Sequence, residues 1–128
     1  MQQQPGWSPE KAAKDAVANA RKELIAEYGD LVADVFHYGA VNIDTRNLVV
    51  WVILSLPRNV LPEWCFNPAA EALLGGVTAP DLRAKLLDMQ AGVRSWFSRL
   101  GWPEPDHIAV GFESDERVRA GGGWAYFK

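Results

Sequence analysis

Apolar side chains recur at spacings of four and three through Ala13, Val17, Ala20, Leu24 and Tyr28, the period of one helical face. Just ahead of them, Ser8 can accept from the exposed N–H groups of a first turn. Pro9 suits the first helical position, where its missing N–H costs nothing. Gly29 then offers a left-handed stop. This pattern predicts a helix over 9–28.

The period then changes. Val35, Phe36, Tyr38, Val41 and Ile43 are β-branched or aromatic and predict a strand over 35–43. Asp44, Thr45, Arg46 and Asn47 are turn formers, because short polar side chains bond back to their own backbone. Residues 48–54 follow, apolar on both faces. A strand of that kind is covered on both sides or lies at an interface. Together the two strands make a hairpin. Pro57 ends the second strand and 57–68 reads as an irregular connection. Asn67 and Pro68 then repeat the cap-plus-proline signal for a short helix, closed by Gly75 and Gly76.

Thr78 with Asp81 resembles a capping box, and Leu82, Leu86, Met89, Val93, Trp96 and Leu100 continue as a helical stripe. Gly92 inside it costs about 1 kcal/mol relative to Ala and suggests close packing against a neighbour. After Gly101 and Pro103, the residues Ile108, Val110 and Phe112 alternate with His107, Ala109, Gly111 and Glu113, the signature of a half-buried strand. Ser114, Asp115 and Glu116 read as a turn. Residues 117–127 read as a returning strand, interrupted at Gly121, Gly122 and Gly123 by a bulge or short loop.

The expected fold is α+β, in the order α-β-β-α-α-β-β. It has an antiparallel sheet of about four strands, with the first and third helices packed on one face. At 128 residues the chain fits a single domain, 1–128, with 1–7 as a flexible N-terminal tail. An apolar fraction of 48% and a charged fraction of 23% are those of a globular protein.

Charge narrows the partners. The net charge of −3 gives no basic footprint for nucleic acid, so none is expected as a direct partner. The longest apolar run is far shorter than the ~20 residues of a membrane-spanning helix, and no membrane is expected either. The start of the chain lacks the basic and apolar regions of a secretory signal. With one cysteine, no intrachain disulfide can form. The expected compartment on these features is the cytoplasm.

Candidate chemistry is sparse. His37 and His107 are the only histidines and Cys65 the only cysteine, so no Cys-rich or paired-His zinc set can be built. Cys65 lies between Trp64 and Phe66, and a buried thiol without a basic neighbour stays inert. The glycine triplet is followed by neither Lys-Ser nor Lys-Thr and is not a phosphate loop. No catalytic residue, metal site or cofactor is assigned. The carboxylates of Asp44, Glu113, Asp115 and Glu116 read in three ways. They are solvated turn residues, or an acidic patch facing a cationic partner, or ligands of a divalent metal that would need further activating groups. Trp124 and Tyr126 share one face of the expected last strand. Beside Arg117 and Arg119 they have hot-spot composition, though they fit core packing equally.

Phe112, Glu113, Ser114, Asp115 and Glu116, followed by Gly122, Gly123, Trp124, Tyr126 and Phe127, resemble the tails of small bacterial immunity proteins. Those partner polymorphic toxins, including the ones used in contact-dependent growth inhibition. The resemblance covers only the tail, together with size and acidity. It implies an inhibitor that binds a cognate toxin domain, often a nuclease, and blocks its active site. The residues suggest the same role: Asp44, Glu113, Asp115 and Glu116 as charges and Trp124 and Tyr126 as anchors toward a basic protein partner. Two other readings remain. One is a small metal-dependent hydrolase with its site between the sheet and residues 61–76. The other is a homo-oligomeric module with 48–54 buried across subunits.

Overall fold

The first helix, α1 (Pro9–Tyr28), begins and ends where its caps require. Ser8 Oγ accepts from the Lys11 amide at 3.3 Å, and Gly29, at φ 60°, returns its N–H to the Ile25 carbonyl. The computed structural model describes residues 7–61, 64–66, 68 and 79–127. Over that range α1 is followed by β1 (Val32–Tyr38), β2 (Val49–Leu54), α2 (Ala79–Arg99), β3 (Ala109–Ser114) and α3 (Asp115–Ala120). Short 3-10 turns join them, and the chain closes on another, Gly123–Phe127. The fold is α+β. The short helix expected after Asn67 falls outside the described residues.

Among the described residues the sheet has three strands in the order β1-β2-β3. β1 and β2 are the expected antiparallel hairpin, with Phe36 opposite Trp51 and Tyr38 opposite Val49. β3 lies parallel to β2, pairing Trp51 with Gly111 and Ile53 with Glu113. This corrects the expected four-stranded antiparallel sheet. The chain leaves the end of β2, passes through α2 and re-enters at the starting end, which obliges the two strands to run the same way. The expected fourth strand is α3 and the 3-10 turn. Ser114 caps α3 through its side chain, Asp115 and Glu116 occupy its first turn and Arg117 and Arg119 its last, each sign at the end of the helix dipole that favours it.

Strand β1 also ends sooner than the apolar run suggested, at Tyr38. Gly39 follows at φ 119°, where a Cβ would run into the Asn47 carbonyl oxygen. Only glycine lets the two arms of the loop close there.

Strand β2 is covered on both faces, and the cover is intramolecular. Val50, Val52 and Leu54 face α1 and α2, joining Ala13, Ala16, Leu24, Leu86, Met89, Val93 and Phe97 in one core. The apolar stripes of the first and third predicted helices thus pack on the same side of the sheet. Gln90 and Arg94 tie α2 to β3, donating to the Val110 and Ile108 carbonyls at 3.1 and 2.9 Å. On the opposite face Trp51, fully buried, meets Trp64, Phe66 and Phe127 at ring separations of 5.0, 4.8 and 5.2 Å. The closest approach is at Gly111, where a Cβ would lie 2.6 Å from the indole of Trp51 and 2.7 Å from the ring of Phe66. No subunit interface is needed to bury β2.

Trp7, placed by sequence in a flexible tail, is docked. Its indole N–H donates to the Leu100 carbonyl at 2.8 Å, and its ring sits 5.8 Å from that of Trp102. No helix among the described residues is long and apolar enough to cross a membrane.

Candidate functional site

The six residues singled out from sequence do not form one patch. Glu113 is fully buried. Its Oε1 accepts from its neighbour's amide, Ser114 N, at 2.9 Å and from the Arg117 guanidinium. Its Oε2 accepts from the Trp64 amide at 3.1 Å and the Tyr126 hydroxyl at 2.8 Å. Arg117 in turn donates to the carbonyls of Arg58 and of Leu61, the latter at 2.7 Å. A carboxylate so enclosed, with a cation and three further donors, is a structural junction rather than a surface charge. Glu113 therefore leaves the set of candidate charges.

Tyr126 belongs to the same junction. Its ring stacks on Trp64 at 5.2 Å with planes 9° apart, and Trp64 holds a left-handed φ of 53°. The Trp64 amide bond to Glu113 fixes that uncommon backbone. Tyr126 thus works inward, closing the end of the chain over the sheet, not outward as an edge anchor. The side chain of Trp124 is outside the described residues.

Asp115 and Glu116 start α3, just past β3. Asp44 lies just before β2. Because β2 and β3 are parallel, these positions sit at opposite ends of six-residue strands, about 20 Å apart. Asp115 faces Arg119 at 3.6 Å and Glu116 faces Arg58 at 3.7 Å, so that end is close to balanced in charge.

The end bearing Asp44 is different. The turns Thr45–Asn47 and Pro105–His107 both lie there, one before each parallel strand. Arg46 meets the charge of Asp44 and, across the gap between the turns, that of Glu104, while Asp106 lies aside from them, lining a separate recess with Arg94 of α2. Arg46 binds Asp44 with its Nη2 at 2.8 Å, and its amide donates to Asp44 Oδ1 at 2.9 Å. These bonds hold the Asp44 carboxyl below the ordinary carboxylate range. His107 faces Glu104 at 3.6 Å. A cleft of about 50 Å³ separates the two turns.

From this end Ile43 projects, 80% exposed. The loop that carries it is tightly determined. The Ala40 carbonyl accepts from the amides of Ile43 and Asp44 at 3.1 and 3.2 Å and from the Asn47 side chain at 3.1 Å. Val41 and Leu48 anchor the two arms in the core at 5% and 2% exposure. A rigid loop that displays a large aliphatic side chain loses little conformational freedom on binding, as a binding anchor requires. Sequence reasoning took Ile43 for the end of a strand. The missed signal was Gly39, which breaks that strand four residues earlier.

The other polar candidates have structural places. His37 is half buried on β1 with no partner for Nδ1, and burial pushes its pKa below 6.5. Cys65 is buried and pairs its backbone with Phe112 at the outer edge of β3. Among the described residues no three His, Cys, Asp or Glu side chains converge as metal ligands would. A scan against protein-family models returns no match, and no curated protein or solved structure matches the chain.

Proposed function

We propose that the protein is a protein-binding inhibitor that works through the Ile43 end of its sheet. The observation that carries this reading is the fixed display of Ile43 on a hydrogen-bonded loop beside Asp44. The partner surface that fits it has an apolar socket with basic groups around it. Asp44 and Glu104 against the one Arg46 guanidinium leave an excess of negative charge that would steer such a partner in, and desolvation of Ile43 would supply holding energy. The resemblance of the tail to immunity proteins supports a bacterial toxin domain, of which nucleases are one class, as the partner, with inhibition by blocking its active site. In this reading Asp44 remains a contact residue. Asp115 and Glu116, at the far end, would contact only a partner large enough to span the sheet.

The test pairs the protein with the product of the adjacent reading frame. A one-to-one complex by light scattering and rescue of growth when the two are co-expressed are the expected results, both lost in the Ile43→Asp variant. Failure to associate, or association indifferent to that substitution, overturns the reading.

A further inference from the structure

On the second face of the sheet, the closing 3-10 turn leaves a recess of about 150 Å³. Phe36 of β1 and Ile53 of β2 floor it, while Val118 of α3 and Phe127 wall it. Asp34 and Gly123 stand at its margin, and a Cβ at Gly123 would meet nothing within 4 Å. The space is real and its walls are held. Phe127 packs on Phe36 and Trp51 at ring separations of 5.1 and 5.2 Å, and α3 is tied down through Arg117 and Glu113. A recess of this volume, lined mostly by apolar side chains, has room for one aromatic ring.

Asp34 supplies the polar selection. Its Oδ1 accepts from Arg21 Nε at 3.0 Å and from the Val35 amide at 2.8 Å. This leaves Oδ2 as an acceptor at the margin. Asp34 is the only charged residue of the lining. A carboxylate with one oxygen left open favours a ligand with an N–H or O–H donor over one that offers only acceptors.

We infer that this recess is a binding site for a free small single-ring aromatic carrying a hydrogen-bond donor, seated between Phe36, Ile53, Val118 and Phe127 with its donor on Asp34 Oδ2. The site lies on the face of the sheet, away from Ile43, and stands or falls independently of the proposed inhibitor role.

Titration of the full chain with p-cresol, followed by NMR at the Ile53 methyl and the Gly123 amide, tests the inference. Expected are saturating shifts with a Kd on the order of a millimolar, the range open to so small a ligand. Toluene, which has the ring without the donor, should bind about 3- to 10-fold more weakly, the worth of one hydrogen bond. The anion 4-methylbenzoate should leave both signals in place. Asp34→Ala should erase the preference for p-cresol over toluene. Val118→Trp, which fills the recess, should abolish binding of both, and Val118→Met provides a milder filling that should weaken it. Absence of shifts with p-cresol, equal binding of 4-methylbenzoate, or undiminished binding in a folded Val118 variant overturns the site.

Discussion

The hydroxyl of Tyr126 donates to Glu113 Oε2 at 2.8 Å, joining the Gly123–Phe127 turn to the last residues of β3 through a carboxylate that solvent does not reach. Glu113 holds the donors of three separate segments, so it should matter more than any one of them. Tyr126→Phe removes one neutral donor and should cost about 1–2 kcal/mol. Glu113→Gln leaves Arg117 buried without its counter-charge and should cost about 3–5 kcal/mol. Urea denaturation of both variants measures the order. A smaller loss in Glu113→Gln than in Tyr126→Phe would contradict the junction.

Ile43 should behave in the opposite way. It is 80% exposed and supports no packing, so Ile43→Asp should change unfolding free energy by less than about 0.5 kcal/mol. Binding to the partner should nevertheless be lost. Asp44→Lys should slow association and reduce its dependence on salt. Stopped-flow association at two ionic strengths distinguishes these effects.

Two glycines should respond with opposite signs to alanine. At Gly92, inside α2, a Cβ would sit 3.9 Å from Glu23 and Leu24, an ordinary contact. Gly92→Ala should therefore stabilise by about 1 kcal/mol through helix propensity. At Gly111 the Cβ would collide with Trp51 and Phe66, and Gly111→Ala should cost about 1–3 kcal/mol or more. Thermal melts of the two variants, displaced in opposite directions from the parent, are the expected result.

Acid should weaken the fold through His37. Burial lowers its folded-state pKa below the ordinary 6.5, so the unfolded chain takes up the proton first. The stabilisation is complete above pH 6.5 and declines as pH falls toward the lowered folded value. His37→Leu should flatten the urea midpoint between about pH 7 and pH 5. Asp44, lowered from 3.8 by Arg46, acts in a separate window. Its contribution is present above 3.8 and disappears only in stronger acid.

Local chemistry carried α1, β2 and α2 into the sequence plainly, because each depends on a cap or a period within its own residues. Ser8 and Pro9 start α1 where they stand, and the stripe from Leu82 to Val93 faces the core. What failed depended on partners far along the chain. Glu113 looks like a solvated turn residue until the chain at Trp64 and Tyr126 closes over it. The parallel pairing of β2 and β3 is set by where the crossover returns, not by either strand's composition. The tail could have been read better: a serine followed by two acids and then alternating arginines is a helix start, and the aromatic run behind it obscured that. Of the candidate surface, Asp44 was legible and Ile43 was not.

The flat contact between Trp51 and Gly111 has a consequence for how this sequence can change. Enlarging residue 111 is barred while the indole is present, and shrinking residue 51 alone opens a void beside Phe66. The two positions are therefore expected to drift as a pair across descendants of this chain. Trp51→Leu combined with Gly111→Ala should be less damaging than the sum of the separate exchanges, a compensating coupling that shows only when both steps are taken.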